Sequence, residues 1–263
     1  MASDLFQKQG KNYSEARPDY PPELFQFIAS MTPCHDLAWD VATGTGQAAK
    51  SLAEIFKKVI ATDVSQDQLQ YATQLPNIHY HCTPPTMSTT KLRRIITPKR
   101  SVDLVTVAQA LHWFDLPKFY EQVKWALKDP NGVVTAWCYT VADVNPEVNS
   151  VFHSFNDVDC APYSYPGRRL VRDKYRSIYF PFDPVDGLDH TGPFEFQAER
   201  VMDLDRFFVY VRSMSAYGVA RERGVELLSG DVVEKLKRAW MEDGEEEKVV
   251  KFPISLRIGR VGN

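Results

Sequence analysis

Residues 39–63 read WDVATGTGQAAKSLAEIFKKVIATD, and this stretch decides the fold. Its apolar start predicts a buried strand, Gly44 and Gly46 predict a tight turn, and the apolar residues that follow have helical spacing. A second predicted strand ends at Asp63. This order of elements is typical of sites for nucleotide-like ligands in general. The stretch therefore predicts an α/β fold and leaves the ligand open.

Strand-like and helical segments alternate on both sides of this unit. Helices are predicted after Pro21-Pro22, after the glycine turn, from the capping pair Ser65 and Gln68 through Leu75, and over 116–129. The polar stretch 83–100 shows no element. Strands joined by helices of this length imply right-handed crossovers and a parallel sheet. The predicted strands are 37–43, 59–63, 78–82, the start of 101–111, and 133–140.

The last third of the chain has a different composition. Residues 141–192 are rich in Pro, Tyr and Asp and are interpreted as an insertion. Two further strands are predicted, 193–203 and 248–261, with two helical runs between them.

Composition narrows the class of protein. A net charge of −3 argues against a nucleic-acid partner, which needs a clustered basic surface. No run of about 18 apolar residues suggests a membrane span, and no leader-like segment opens the chain. The four cysteines form no CxxC pair, so we expect reduced thiols and a cytoplasmic protein. His79 and His81 share one strand face without a third ligand, so no metal is expected.

The glycine turn permits several ligands. A P-loop is excluded because GxxxxGK[ST] is absent. Residues 44–49 fit the dinucleotide pattern GxGxxA, with Asp63 at the spacing of a ribose-binding carboxylate. Asp40, however, would repel a pyrophosphate and attract an α-amino group. The aromatic exit loop 107–115, VAQALHWFD, suits a sulfonium. S-adenosylmethionine offers both of these cationic groups together with a ribose diol.

Residues 40–47 resemble the glycine-rich motif of the class I S-adenosylmethionine-dependent methyltransferases, D/E-x-G-x-G-x-G. Asp103-Leu104-Val105 and residues 108–114 resemble the later motif that borders the methionine moiety and the substrate. Tyr13, Arg17-Pro18, Tyr20-Pro21 and AQALHWFD are similar to a subgroup that includes the trans-aconitate and related small-acid methyltransferases. There the amino-terminal helix lies over the cofactor. The sequence departs from the family at Ala42, in place of the first glycine, and at residues 82–86, where many relatives have an acidic residue for adenine.

The resemblance implies a doubly wound, mostly parallel seven-stranded sheet with an antiparallel last strand and an insertion covering the active site. We expect one domain, 1–263, with a lid segment 1–35 and substrate-side insertions at 141–192 and 204–247. It also implies the residues that bind S-adenosylmethionine: Tyr13, Arg17, Asp40, Ala42, Gly44, Gly46, Asp63, Val64, Gln109 and Ala110.

The substrate side is less specific. His112 is the candidate catalytic residue, either as a base or as a group that orients the substrate. Asp40 either binds the methionine amine or shapes the turn. Three functions stay open: methyl transfer to a small-molecule carboxylate, methyl transfer to a phenol or amine with His112 as base, and cofactor binding without catalysis. Oligomeric state is not predicted. The candidate substrate-binding residues are Trp113, Trp137, Tyr139, Tyr165, Arg168 and Tyr217.

Overall fold

The computed structural model describes residues 18–96 and 98–262, and its centre is one seven-stranded sheet. The strands are arranged in the order β3-β2-β1-β4-β5-β7-β6. Their bounds are β1 Leu37–Val41, β2 Lys58–Asp63, β3 Ile78–Cys82, β4 Leu104–Ala108, β5 Val133–Tyr139, β6 Phe194–Met202 and β7 Lys248–Arg260.

The sheet is parallel over its first five strands, and only β7 runs in the opposite direction. β7 is antiparallel to both of its neighbours, β5 and β6. The neighbours of β1 are β2 and β4, so the strand order reverses there and a crevice opens at the carboxyl ends of these strands. The predicted sheet, including its antiparallel last strand, is confirmed.

Helices cover both faces of the sheet, and side-chain alternation along the strands divides the core between them. The helices are α1 Pro22–Ser30, α2 Gln47–Ala53, α3 Gln66–Gln70, α4 Thr89–Ile95, α5 Leu116–Ala126, α6 Pro146–Ser154, α7 Arg168–Arg172, α8 Leu204–Arg212, α9 Ser215–Glu222 and α10 Gly230–Trp240. Ala38 packs into one apolar cluster with α1 and α2, whereas the next residue, Trp39, packs into the other with α4 and α5.

Three details of the predicted helices are wrong. Ser65 caps α3 by accepting the Gln68 amide at 3.2 Å, but the helix ends at Gln70 instead of Leu75. Its last turn closes through i→i+3 bonds such as the one from the Tyr71 amide to the Gln68 carbonyl, which end a helix. The polar stretch 83–100 contains α4, capped by Ser88. Residues 204–247 form three helices because the chain turns at Ser213-Met214 between α8 and α9.

The insertion 141–192 is built from short pieces. α6 continues into a π-helical turn, Phe155–Asp159, which is followed by a 3₁₀ turn, Ala161–Tyr163, and by α7. Over 18–96 and 98–262, every helix is too short or too polar to cross a bilayer.

Candidate functional site

Two cavities lie side by side beyond the carboxyl ends of the strands. The first, here the glycine-turn cavity, has a volume of about 180 Å³ and lies against the ends of β1, β2 and β4. The second, the insertion cavity, has a volume of about 150 Å³ and lies between the end of β5, the insertion and the α8–α9 turn. Gln109 and Trp113 line both cavities. The two spaces therefore share one wall.

The glycine turn has no room for side chains. Gly44 and Gly46 have φ angles of +58° and +83°, in the left-handed region that favours glycine. A Cβ on Gly44 would lie 2.8 Å from the Gln68 Oε1 atom, and one on Gly46 would lie 2.6 Å from the Tyr80 hydroxyl. The turn brings bare backbone to the edge of the cavity, as close approach of a ligand requires.

Ala42 shows what the departure from the glycine-rich motif costs. Its φ is +55°, so this non-glycine residue also adopts the left-handed conformation. An L-residue there costs roughly 1–2 kcal/mol relative to its ordinary conformation. The small size of alanine lets it line the cavity, but the cost comes from the backbone. Such strain is often found at ligand sites.

Asp63 combines support of the turn with access to the cavity. Its Oδ2 accepts the Gly44 amide and its Oδ1 accepts the Ser65 amide, both at 2.8 Å. Burial raises the pKa of this carboxyl, while the backbone donors of Ser65, Gly44 and Val64 oppose the shift. An ionised carboxylate can accept about four hydrogen bonds. Asp63 therefore retains acceptor capacity for ligand hydroxyls where it lines the glycine-turn cavity.

Asp40 lies beneath the turn and lines neither cavity. It is fully buried, and its oxygens accept the hydroxyls of Thr43 at 2.5 Å and Thr106 at 2.6 Å. Burial raises its pKa to about 6. Of the two interpretations, the geometry matches the one in which Asp40 shapes the turn. A contact of Asp40 with the methionine amine stays a prediction, since its side chain bonds to Thr106 on the neighbouring strand β4 and does not line either cavity.

The exit of β4 supplies the shared wall. Gln109 has φ +56°, its amide donates to the Trp137 carbonyl at 2.8 Å, and its side chain donates to the Tyr139 carbonyl at 3.2 Å. Ala110 and Val64 line the glycine-turn cavity as well. A second non-glycine residue is thus held in the left-handed conformation, on the strand next to β1.

His112 lies on a 3₁₀ turn, Leu111–Trp113, directly after this exit, and lines the insertion cavity. Its Nδ1 is 2.8 Å from the Tyr175 hydroxyl. Burial lowers the pKa of the imidazole to about 4, so the ring is neutral at pH 7.

Arg168, on α7, lines the same cavity. Its guanidinium donates to the Ser164 hydroxyl and to the carbonyl and side-chain oxygens of Asn156. Within 18–96 and 98–262, every carboxylate is beyond ion-pair distance of Arg168, and the nearby Asp157 is paired with Arg172 instead. Burial lowers the pKa of the guanidinium, which marks a charge incompletely solvated by water. Of five N–H donors, at least two stay available.

Of the other predicted substrate residues, some lie at the insertion cavity and others do not. Tyr139 lines the insertion cavity, and the exposed Tyr165 covers it indirectly by packing its ring on Trp113 at 4.2 Å. Trp137 lines neither cavity: it is fully buried and packs edge-on against Tyr20 at 5.3 Å, because its side of β5 faces α1. Tyr217 also lines neither cavity, and its hydroxyl donates to Glu226 at 2.5 Å. A contact of either residue with the substrate stays a prediction.

Several lining residues escaped prediction. In the insertion cavity these are Asn156, in the π-helical turn, and Tyr210, on α8. Tyr20, Gln47, Gln68 and Phe114 line the glycine-turn cavity. The predicted contacts of Tyr13 and Arg17 lie outside the described residues. In the described part of the chain, no three His, Cys, Asp or Glu side chains are grouped to hold a metal.

Comparisons with known proteins agree with this geometry. Residues 39–135 match a family described as Methyltransferase domain. A Dictyostelium discoideum protein named as a methyltransferase is 31% identical, over 98% of this chain and 95% of its own length. A Saccharomyces cerevisiae protein named as an S-adenosylmethionine-dependent methyltransferase is 26% identical, over 80% of this chain and 79% of its own length.

A solved structure from Anaeromyxobacter dehalogenans, named as a type II methyltransferase, is similar along almost the whole chain. It is 30% identical, with a TM-score of 0.78 over 94% of this chain and 99% of the other. The similarity includes the insertion and the helices between β6 and β7 as well as the glycine turn.

Proposed function

This chain belongs to the class I S-adenosylmethionine-dependent methyltransferases, and we propose that the atom it methylates is a carboxylate oxygen of a small molecule. One observation carries the proposal: the charged residues that line the insertion cavity are two arginines, and no Asp or Glu in the described chain lines it. A cavity of this sign attracts an anionic acceptor and repels a cationic one.

The glycine-turn cavity fits the cofactor. Asp63 has acceptor capacity for the ribose hydroxyls, and Gly44 leaves open backbone where a Cβ would collide with Gln68. Gln109 and Ala110 would border the methionine moiety at the shared wall. When bound, S-adenosylmethionine supplies an electrophilic methyl group on a sulfonium.

Arg168 would hold the acceptor. A guanidinium with free N–H donors, and with no carboxylate partner among the described residues, would bind a substrate carboxylate by charge-assisted hydrogen bonds. Its bonds to Asn156 and Ser164 fix the side chain, so little rotamer freedom is lost when a substrate binds. Because Gln109 and Trp113 line both cavities, the acceptor would be held directly beside the cofactor.

The proton balance also favours an acid. A carboxylate is already ionised at neutral pH and needs no base. A phenol has a pKa of about 10, whereas burial lowers that of His112 to about 4. Proton transfer from phenol to this imidazole would be unfavourable by roughly 6 pKa units, or about 8 kcal/mol. His112 therefore suits a neutral hydrogen-bonding role better than that of a base.

A methyl-transfer screen with labelled S-adenosylmethionine tests the proposal. Matched sets of mono- and dicarboxylates, phenols and amines would be compared by kcat/KM, with base-stable and base-labile methyl products separated, since methyl esters hydrolyse in alkali. We expect the acids to react best, through a base-labile product.

A steep pH dependence is the signature of the alternative. If a phenol or amine were the best acceptor, with a rate that rises through an ionisation abolished in His112→Gln, the second function would replace the first. The expected result is a rate without such a limb between pH 6 and 8.

A further inference from the structure

We propose that Tyr175 is a positioning residue that holds His112 as the neutral tautomer with its proton on Nε2, so that the imidazole offers the substrate a hydrogen-bond donor. The tautomer stands on the geometry alone, whereas the role of the donor toward a carboxylate oxygen rests on the proposed function.

Tyr175 lines neither cavity, yet its side chain and its backbone are both tightly constrained. Its side chain is fully buried, and it follows Lys174 in a pair of left-handed residues, with φ angles of +57° and +56°. For a bulky residue this conformation is rare and costs energy. Arg257 on β7 stabilises it, since its Nη1 donates to the Tyr175 carbonyl at 2.9 Å. The chain thus accepts backbone strain to bring this hydroxyl to His112.

The hydrogen bond of the hydroxyl determines where its proton lies. Nδ1 of His112 lies 2.8 Å from the Tyr175 oxygen, and among the described residues it is the one hydrogen-bond partner of this hydroxyl. If Nδ1 carried a proton and donated it, the hydroxyl hydrogen of the fully buried Tyr175 would have no acceptor there, which is costly. The hydrogen is paired when the hydroxyl donates it to Nδ1.

The tautomer of His112 follows from the direction of this hydrogen bond. If Nδ1 accepts the hydroxyl hydrogen, the proton of a neutral ring is on Nε2. Elsewhere in the described chain nothing donates to or accepts from Nε2, and the ring lines the insertion cavity. Burial of the ring opposes the doubly protonated form. The geometry points to a donor that is ready for an acceptor oxygen and has no lone pair facing it to act as a base.

The charged groups around the ring agree with this role. Arg168 and Arg172 line the same cavity as His112, and their charges would repel a cationic imidazole there. On the inner side, the buried thiol of Cys138 lies within electrostatic range of Tyr175, and burial raises the pKa of this thiol, so this side contributes no charge either. A neutral donor is compatible with all of these neighbours.

The test is the ring ¹⁵N spectrum of His112 in protein labelled at histidine, with no cofactor added. Long-range ¹H–¹⁵N correlations identify the protonated nitrogen, and loss of one signal set in His112→Gln assigns the residue. We expect a single neutral tautomer with Nε2–H at pH 7, and a mixture of tautomers in Tyr175→Phe. Tyr179→Phe, an exposed tyrosine nearby in sequence, should leave the signals unchanged.

Kinetics separate positioning from folding. In Tyr175→Phe we expect KM for the best acid to rise about tenfold with kcat nearly unchanged, as loss of one oriented hydrogen bond predicts. A wild-type spectrum showing Nδ1–H or a cationic ring at pH 7 would overturn the inference, even if the variant failed to fold. If Nε2–H is found while the screen selects phenols, the proposed function fails and the tautomer stands.

Discussion

The two cavities are built in different ways. The glycine-turn cavity is made by strand ends, with backbone in the left-handed conformation and the buried acid Asp63 accepting two amides of the turn. The insertion cavity is made by side chains from short helical pieces, and its charges are arginines. In the function that we propose, the first cavity would hold the methyl donor, which every methyltransferase of this class needs. The second would select the acceptor, and its shape depends on contacts between segments far apart in the sequence.

The largest expected effect is on the first cavity. Asp63→Ala would remove the proposed acceptor for the ribose hydroxyls together with two hydrogen bonds that shape the turn. At about 1.5–3 kcal/mol for each hydrogen bond to a charged group, cofactor affinity should fall at least 100-fold. Calorimetric titration with S-adenosylmethionine measures it, with Asp67→Ala, on α3 just after the end of β2, as the control. Unchanged affinity, or NAD as the preferred ligand, would contradict the assignment.

The second prediction concerns the other cavity. Arg168→Met keeps the length of the side chain and removes its charge, so an acid substrate should lose about 1.5–3 kcal/mol of binding, or roughly 10–100-fold in kcat/KM. Cofactor affinity should be unchanged, which sharpens the division between the cavities. Arg169→Met, the exposed neighbour on α7, is the matched control. If both variants behave alike, Arg168 does not bind the acceptor.

The difference between the cavities also explains what the sequence could reveal. The strand ends followed from alternation and from glycine, because Gly44 and Gly46 can be recognised without knowing the fold. The prediction for Trp137 had no such support, because β5 is buried on both faces and nothing in its sequence tells which face meets a ligand. Asn156 and Tyr210 meet only when α8 packs against the insertion, and no local pattern encodes that contact. Tyr175 could not be found, since its conformation depends on Arg257, 82 residues later.

The third prediction compares two buried groups, His112 and Asp40, whose pKa values shift in opposite directions on folding. The pKa of His112 falls from 6.5 to about 4 on folding, so below pH 6.5 the unfolded chain binds the proton first and stability decreases toward pH 4. The pKa of Asp40 rises from 3.8 to about 6, so the folded chain binds that proton first and stability increases as the pH falls through 6.

Removing each group should therefore tilt the stability curve in opposite directions. Between pH 6.5 and 5, His112→Gln should gain about 2 kcal/mol relative to wild type, and Asp40→Asn should lose about 1 kcal/mol. Urea unfolding at the two pH values measures both changes. For each protein, the free energy of unfolding at pH 6.5 is the reference for its value at pH 5. Parallel curves for all three proteins would show that these shifts are not present.

The smallest effect is expected at Ala42. Glycine relieves the left-handed strain of roughly 1–2 kcal/mol but loses about 0.5–1 kcal/mol of backbone entropy, so Ala42→Gly should stabilise the fold by about 0.5–1 kcal/mol. Ala48→Gly, a few residues later in α2, should destabilise it by a similar amount. Thermal unfolding of the pair reports the sign, and destabilisation by both substitutions would mean that Ala42 is not strained.

The shared wall has an evolutionary consequence. Gln109 and Trp113 belong to the β4 exit, whereas most of the remaining lining of the insertion cavity comes from 140–172 and 210–215. Substitutions in those segments alter the acceptor space without moving the backbone that shapes the donor space. Descendants of such a chain can drift from one acceptor to another while the methyl donor is retained. Selection would then act most strongly on Gln109 and Trp113, because a substitution at either residue changes the lining of both cavities.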